Sequence, residues 1–515
     1  MISCAVFERP SRWRLLGIVA GLALALAPAL PLLTLIGESL EPFGAGFTSS
    51  LLRSLKVAAS ASLIAFAIGL PTGILAAHYQ FPLRRLLLGL LALPLLVPSF
   101  LWTIGLDRLR AALGLSPDGV LTGFSGTVLA FTGLTLPLVL FVSFLAARGI
   151  SRSQAGAARL AGGEGHLFWQ TVRSAWPIAA LTALLAGALT LSDPGPGQIL
   201  GYSGVGMEIL TSFSAQYDFS LAASQCLGLS ALVLLLALPA AIGLAPGLAA
   251  GLLARDVEPV ESIRTPTIVW FGPVLLGAIL LVTIGLPLLG LLEPLAQGVP
   301  LGRALPEIQR TFANTFIYGL GAGVVAVVVG FALALCVGRS GALRGLLLAG
   351  LIVIIALPSP LFALGLLWAA NFSPAALDLL LRSPLTVCFC LGLRLMPVAA
   401  IIVLRRIGTS APSWADAAAV HGVPLWVYLA KVLGPWLAAS AALAGLLVAL
   451  LATADVGSVL LLHRPGEASL PLAIFTVMAN APEALVSTLC IFYLGGAALL
   501  VGSGWILAGF VTDKP

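Results

Sequence analysis

Few side chains in this sequence of 515 residues could make or break bonds. Its four histidines, His78, His166, His421 and His463, are widely scattered. Its six cysteines (Cys4, Cys226, Cys336, Cys388, Cys390 and Cys490) show neither metal-ligand nor disulfide spacing. No Walker A loop, His-Glu-x-x-His helix or Gly-x-Ser-x-Gly elbow occurs. These absences point away from a catalytic residue, a metal or a cofactor held by this chain. Polar chemistry is left to three charged positions. Asp193-Pro194-Gly195 and Asp455-Val456-Gly457 repeat one Asp-x-Gly pattern. Such a pattern reads as a turn, with Asp bonding the local backbone and Gly at positive φ, or as part of a substrate gate. Arg394 falls inside an apolar run, where an ionised side chain costs from about 3 kcal/mol upward. Either the guanidinium snorkels outward, or it lines a path and meets an anionic or chelated substrate.

The elements that would position these groups are membrane helices. Hydrophobic residues make up 60% of the chain and charged residues 9%, with mean hydropathy +1.10; soluble domains carry roughly 25% charge. Apolar stretches of spanning length fall at 14–37, 54–78, 86–106, 127–147, 175–193, 225–252, 267–292, 312–338, 345–369, 386–404, 435–454 and 484–510. Pro137 and Pro397 are expected to interrupt the fourth and tenth. The start of the chain imitates a signal peptide, with Arg9, Arg12 and Arg14 before an apolar run and Ala25-Leu26-Ala27 as a cleavage-like site. Because Pro28 follows and the run continues, it reads as a retained first span. The net charge of +6 sits in short loops rather than a stripe, which gives no nucleic-acid signature. With the N-terminus in the cytoplasm, 17 Lys/Arg lie inside and 8 outside, so both termini are expected to be cytoplasmic.

Residues 412–435, PSWADAAAVHGVPLWVYLAKVLGP, are neither continuously apolar nor a short turn. Ser413 and Asp416 have the form of a capping box that would open a helix. Trp414, Ala417, Ala418 and His421 then share one face, and Gly422 supplies a left-handed end. Pro424 suits the first turn of a second short helix that stops before Gly434-Pro435. Such a pair would form a docking element on a membrane surface.

A shift of about 260 residues superposes one half of the chain on the other. Ser54 meets Thr315 and Gly69 meets Gly330, each 261 apart. Arg84, Pro98-Ser99, Pro137, Ser153, Ala157-Ala158 and Gly162 meet Arg344, Pro358-Ser359, Pro397, Ser413, Ala417-Ala418 and Gly422, each 260 apart. This is a tandem duplication, with repeats at 1–255 and 267–515 and a cytoplasmic linker at 256–266. An even number of spans per repeat makes the two parallel. The first docking element, 153–177, differs from the second: Gly156 replaces the acid, and Pro177 lies fifteen rather than thirteen residues after the glycine. The first half should therefore dock more weakly, or through Arg152, Arg159 or Glu164.

Asp416-Ala417-Ala418 with Gly422 and Pro435, and Gly156-Ala157-Ala158 with Gly162, resemble the EAA loops of ABC importer permeases, Asp standing for the usual Glu. The Asp-x-Gly pairs are similar to permeases of the iron(III) and thiamine type. The resemblance implies an all-α integral membrane protein of about 12 transmembrane helices, with two parallel six-helix repeats of the type I importer kind. It further implies a bacterial inner (plasma) membrane and docking of two copies of an ABC ATPase on the EAA elements. ATP-Mg would sit on that partner. A periplasmic or lipid-anchored binding protein would deliver a small polar solute, with Asp193, Asp455 and Arg394 near the path or gate. The competing reading is an ion-coupled secondary transporter of twelve helices. Ion coupling calls for carboxylates near the bilayer midplane, whereas the acids here fall in loops or at span ends.

Overall fold

The computed structural model describes residues 12–35, 43–116, 119–253, 266–337, 340–370 and 383–512. The linker at 256–266 therefore lies almost wholly outside the described residues. Among these residues the chain is helical, without a strand. In order, the helices are α1 (Arg12–Leu26), α2 (Gly44–His78), α3 (Arg84–Leu90), α4 (Leu93–Leu96), α5 (Ser99–Ala112), α6 (Gly123–Arg148), α7 (Arg152–Thr190), α8 (Gly195–Ile199), α9 (Val205–Ser214) and α10 (Phe219–Leu253). There follow α11 (Pro266–Leu280), α12 (Leu286–Leu292), α13 (Leu301–Val337), α14 (Gly341–Ala356), α15 (Ser359–Ala370) and α16 (Pro384–Thr409). The last are α17 (Pro412–Val420), α18 (Leu425–Tyr428), α19 (Gly434–Ala454), α20 (Val456–Leu462), α21 (Leu470–Val477) and α22 (Glu483–Thr512).

Nine of the described helices are long and apolar enough to cross a bilayer, or eleven spans if each of two bent pairs counts as one. Where the helices break differs from the sequence expectation. α6 and α16 run unbroken through Pro137 and Pro397. The sharp bends come instead at Pro98, between α3–α4 and α5 (102°), and at Pro358, between α14 and α15 (83°). In both, the residue before the proline is extended: Val97 has ψ 144° and Leu357 ψ 143°, as the proline ring demands of its predecessor. Inside α6 and α16 proline removes only one N–H, and crowded neighbouring helices hold the rest of the ladder in place.

Equivalent helices pack alike in the two halves. α2, α6 and α7 contact one another, as do α13, α16 and α19. Gly69 lets α2 approach the backbone of α6 at Leu140, and Gly330 lets α13 approach α16 at Ala400. Lipid offers no hydrophobic gain over a helix face, so close contact through small residues is what holds such pairs. The matched hydroxyls have matched work: Ser54 Oγ accepts from the Val205 N–H at the start of α9 (2.9 Å), and Thr315 Oγ1 from the Leu470 N–H at the start of α21 (2.8 Å). Replacing either hydroxyl orphans a first-turn donor. Ser54→Ala and Thr315→Ala should each lower thermal stability by about 1 kcal/mol, and Thr315→Ser by far less, read from unfolding in detergent.

The first helix of each half lies on the other half. α1 packs on α13, α14 and α16, where Gly17 meets Cys336 and Gly21 meets Leu333. α11 packs on α2 and α3, with Gly272 against Phe81. Just beyond each, a backbone carbonyl seats on a glycine: Pro28 on Gly365 of α15, and Pro287 on Gly105 of α5. These glycines are 260 apart and the prolines 259.

Candidate functional site

The three singled-out charges converge. Asp193, Asp455 and Arg394 line one cavity of about 270 Å³. Its wall is built from equivalent positions of the two halves: Ser99 and Ser359 after the two bends, Asp193 and Asp455 after α7 and α19, and Leu134 and Arg394 inside α6 and α16. Phe100 and Phe475 meet edge to face across it, ring centroids 5.4 Å apart.

Its two sides are chemically unequal. Asp455 forms an ion pair with Arg394, and the pair is nearly buried, with 7% and 15% of the side chains exposed. Asp455 also caps α20, accepting from the Ser458 N–H (3.1 Å) and the Ser458 hydroxyl (3.1 Å). Asp193 accepts from the Gly195 N–H (3.0 Å) and from the Ser99 hydroxyl. Where the second half carries Arg394, the first carries Leu134. The Arg394 side chain therefore reaches a carboxylate at the end of the neighbouring span. Both Asp side chains bond local backbone, as a turn requires, but Gly195 and Gly457 do not adopt positive φ. They are glycine for room: added methyls would press on Phe100 and on Ser359 Oγ respectively. Among the described residues no three His, Cys, Asp or Glu side chains converge as metal ligands would.

The docking elements lie at the opposite ends of α7 and α19 from the cavity. The second element is held by its small face. Ala418 is buried, and Trp414 meets Trp436 edge to face, with the Arg406 guanidinium 3.6 Å over that indole. Gly422 has φ +65°, and the Val423 and Gly422 N–H groups bond the carbonyls of Ala418 and Ala419, closing a Schellman end. Two expectations need correction. The helix begins at Pro412, with Ala411 as an N-cap that makes no side-chain bond, so Ser413 and Asp416 form no capping box. The rigid φ of Pro412 already suits the first helical position. Nor does the second helix stop at Gly434-Pro435. A π-turn over Leu429–Leu433 absorbs the proline, and one span runs from Leu425 to Ala454. Asp416, Ala417 and His421 are exposed, so Ala417 and His421 do not share the packed face of Trp414 and Ala418.

In the first element Ser151 and Gln154 form a true capping box, a signal that was legible one residue pair upstream of the stretch singled out. Gly156 is half-buried, Ala157 exposed and Ala158 buried. The kink spans Gly162 and Gly163. Gly162 is extended (φ −168°), and the left-handed position falls on Gly163 (φ +70°). Arg159 Nε donates to Glu164 Oε1 (2.8 Å) across that kink, and the Tyr79 hydroxyl, just past α2, donates to Glu164 Oε2 (2.7 Å). Burial and the neighbouring carboxylate push the Tyr79 phenol well up, which keeps it a donor. Arg159 and Glu164 are thus paired with each other.

Sequence reasoning missed the most prominent feature of these elements. Leu160 is 91% exposed and Val420 84%, and they lie 260 residues apart, each two residues before Gly162 or Gly422. Trp169 and Trp426 are also exposed, at 68% and 71%. Apolar side chains carry no signal in so apolar a chain, and only the repeat offset could have marked this pair.

Each element is joined to the cavity by a helix. From Glu164 to Thr190, α7 extends roughly 40 Å and ends three residues before Asp193. The span Leu425–Ala454 extends roughly 45 Å and ends next to Asp455. No known family, curated protein or solved structure matches the chain.

Proposed function

We propose that this chain is the membrane permease of an importer driven by a separate ATPase. It would pass a small polar solute from an outer binding protein to the cytoplasm. The observation that carries this reading is the pair of helical rods, each running from the turn beside an exposed apolar knob to an aspartate of one cavity. Force passed through those short turns would reach the cavity wall, because a helix transmits displacement along its length. Two ATPase copies would seat Leu160 and Val420, with Asp416 as a charged contact on the second side only. The positive-inside bias supports a cytoplasmic side for these elements and both termini, across what would be a bacterial inner membrane. The reciprocal seating of α1 and α11, the matched Ser54 and Thr315 caps and the two proline bends support a duplicated, parallel six-plus-six design.

Gly422→Arg tests this reading. A Cβ there meets no atom within 4 Å in the chain itself, so the change meets no clash at its root and carries only the modest backbone cost of positive φ. Co-purified ATPase should fall about tenfold or more, which corresponds to about 1.4 kcal/mol. Gly156→Arg, at the place of the acid in the first element, is also open to an added Cβ. It should cost less, because Tyr79, Arg159 and Glu164 already tether the first element. Retention of the ATPase by both variants at the level of the parent chain contradicts the reading.

One observation favours the secondary-transporter alternative: Asp193 and Asp455, at span ends in the sequence, both line the cavity. Uptake into vesicles holding this chain alone, driven by a proton or sodium gradient, would decide for it.

A further inference from the structure

We propose that the Arg394–Asp455 ion pair is a one-sided latch, holding the second half's wall of the cavity shut while the first half's wall has no equivalent. The inference concerns the chain alone and stands whether an ATPase or an ion gradient drives it. Arg394 sits inside α16, and Asp455 is the cap of α20 where α19 ends. Their pairing therefore ties the middle of one span to the end of another. In the first half, Leu134 occupies the matching place on α6, and Asp193 is held by its own turn at Gly195 and by the Ser99 hydroxyl at the start of α5, neither of which lies on α6.

Two details suit a bond that opens and closes. Asp455 keeps two further partners, the backbone N–H and hydroxyl of Ser458, so releasing the guanidinium does not leave a bare buried carboxylate. Arg394 is not locked in a network: its Nε is buried without a partner among the described residues. Moving α19 away from α16 would break one ion pair. Moving α7 away from α6 would break none.

Leu189 and Leu451 are matched, half-buried cavity residues four positions before the two aspartates. Leu189→Cys and Leu451→Cys, made separately in the full chain in lipid nanodiscs, report access through the rate of labelling by a small charged maleimide, with the parent chain as blank. Without further change, position 189 should label about tenfold faster than position 451, the rate ratio of walls that differ by one modest interaction. Adding Arg394→Leu should speed position 451 about tenfold and leave position 189 within twofold. Arg394→Lys, which keeps the charge, should leave position 451 slow. Equal rates at the two positions in the otherwise unaltered chain would overturn the latch, and that comparison needs no variant of Arg394. Acceleration of both positions by Arg394→Leu, or of neither, would overturn it too. No transport is read, so these outcomes are separate from any failure of the proposed function.

Discussion

Gly365→Ala is expected to prevent the chain from accumulating as a folded, monodisperse protein, and Gly105→Ala to do nearly the same. A single methyl at Gly365 would overlap the Pro28 carbonyl oxygen and crowd Ala29 Cα; at Gly105 it would overlap Pro287. The obstacles are backbone atoms, which cannot rotate away as a side chain can. Each clash should cost on the order of 3 kcal/mol, at the upper end of overpacking effects. The damage is not local, because these glycines seat the first helix of one half on the other half. Gly277→Ala is the control. A methyl there meets nothing within 4 Å, and the change should leave stability equal or raise it by up to about 1 kcal/mol. Fluorescence-detected gel filtration after graded heating separates the three variants. If Gly365→Ala behaves like Gly277→Ala, the reciprocal seating is wrong.

Asp455→Ala should be the most damaging change in the cavity. It leaves the Arg394 guanidinium buried without its acid and removes the cap of α20. Loss of one partner from a buried ion pair costs about 3–5 kcal/mol. The first half shows how to relieve it, because Leu134 stands there in place of the arginine. Arg394→Leu added to Asp455→Ala should recover most of the loss, since the double variant contains no orphaned charge. Asp193→Ala has only two hydrogen bonds from uncharged donors to lose, the Gly195 N–H and the Ser99 hydroxyl, and should cost about 1 kcal/mol. A double-mutant cycle by thermal unfolding checks all three. Additivity of the two second-half changes would mean that the pair does not exist in the membrane.

Much of this arrangement is legible in the sequence because residues about 260 apart serve as one another's controls. Ser54 and Thr315, Gly69 and Gly330, and Pro98 and Pro358 stand out by their common offset, and each pair proves to have one physical job. What stays hidden is whatever depends on distant contact. Gly105 and Gly365 also share the offset, but in a chain with 56 glycines nothing marks them until the opposite half's carbonyl is seen above them. Arg394 and Asp455 each draw attention alone, yet 61 residues separate them and no local rule pairs them. Proline misleads in both directions. Pro137, Pro397 and Pro435 look like helix ends, but membrane helices continue through them because neighbouring helices or a π-turn absorb the defect. The bends come where proline coincides with the start of a new helix at Ser99 and Ser359. The cap at Ser413 fails for a local reason, since Pro412 had already claimed the first helical position.

Whether the two exposed apolar knobs move together under ATP is the most direct test of the lever design. Spin labels at the matched, exposed Ser153 and Ser413, which leave the knobs intact, can report the separation of the two elements by pulsed electron paramagnetic resonance in nanodiscs with a bound ATPase. A shorter distance with ATP trapped than with nucleotide absent is the expected result, because closure of the ATPase pair would draw both rods inward. An identical distance distribution in the two states, with the ATPase demonstrably bound, would contradict the design.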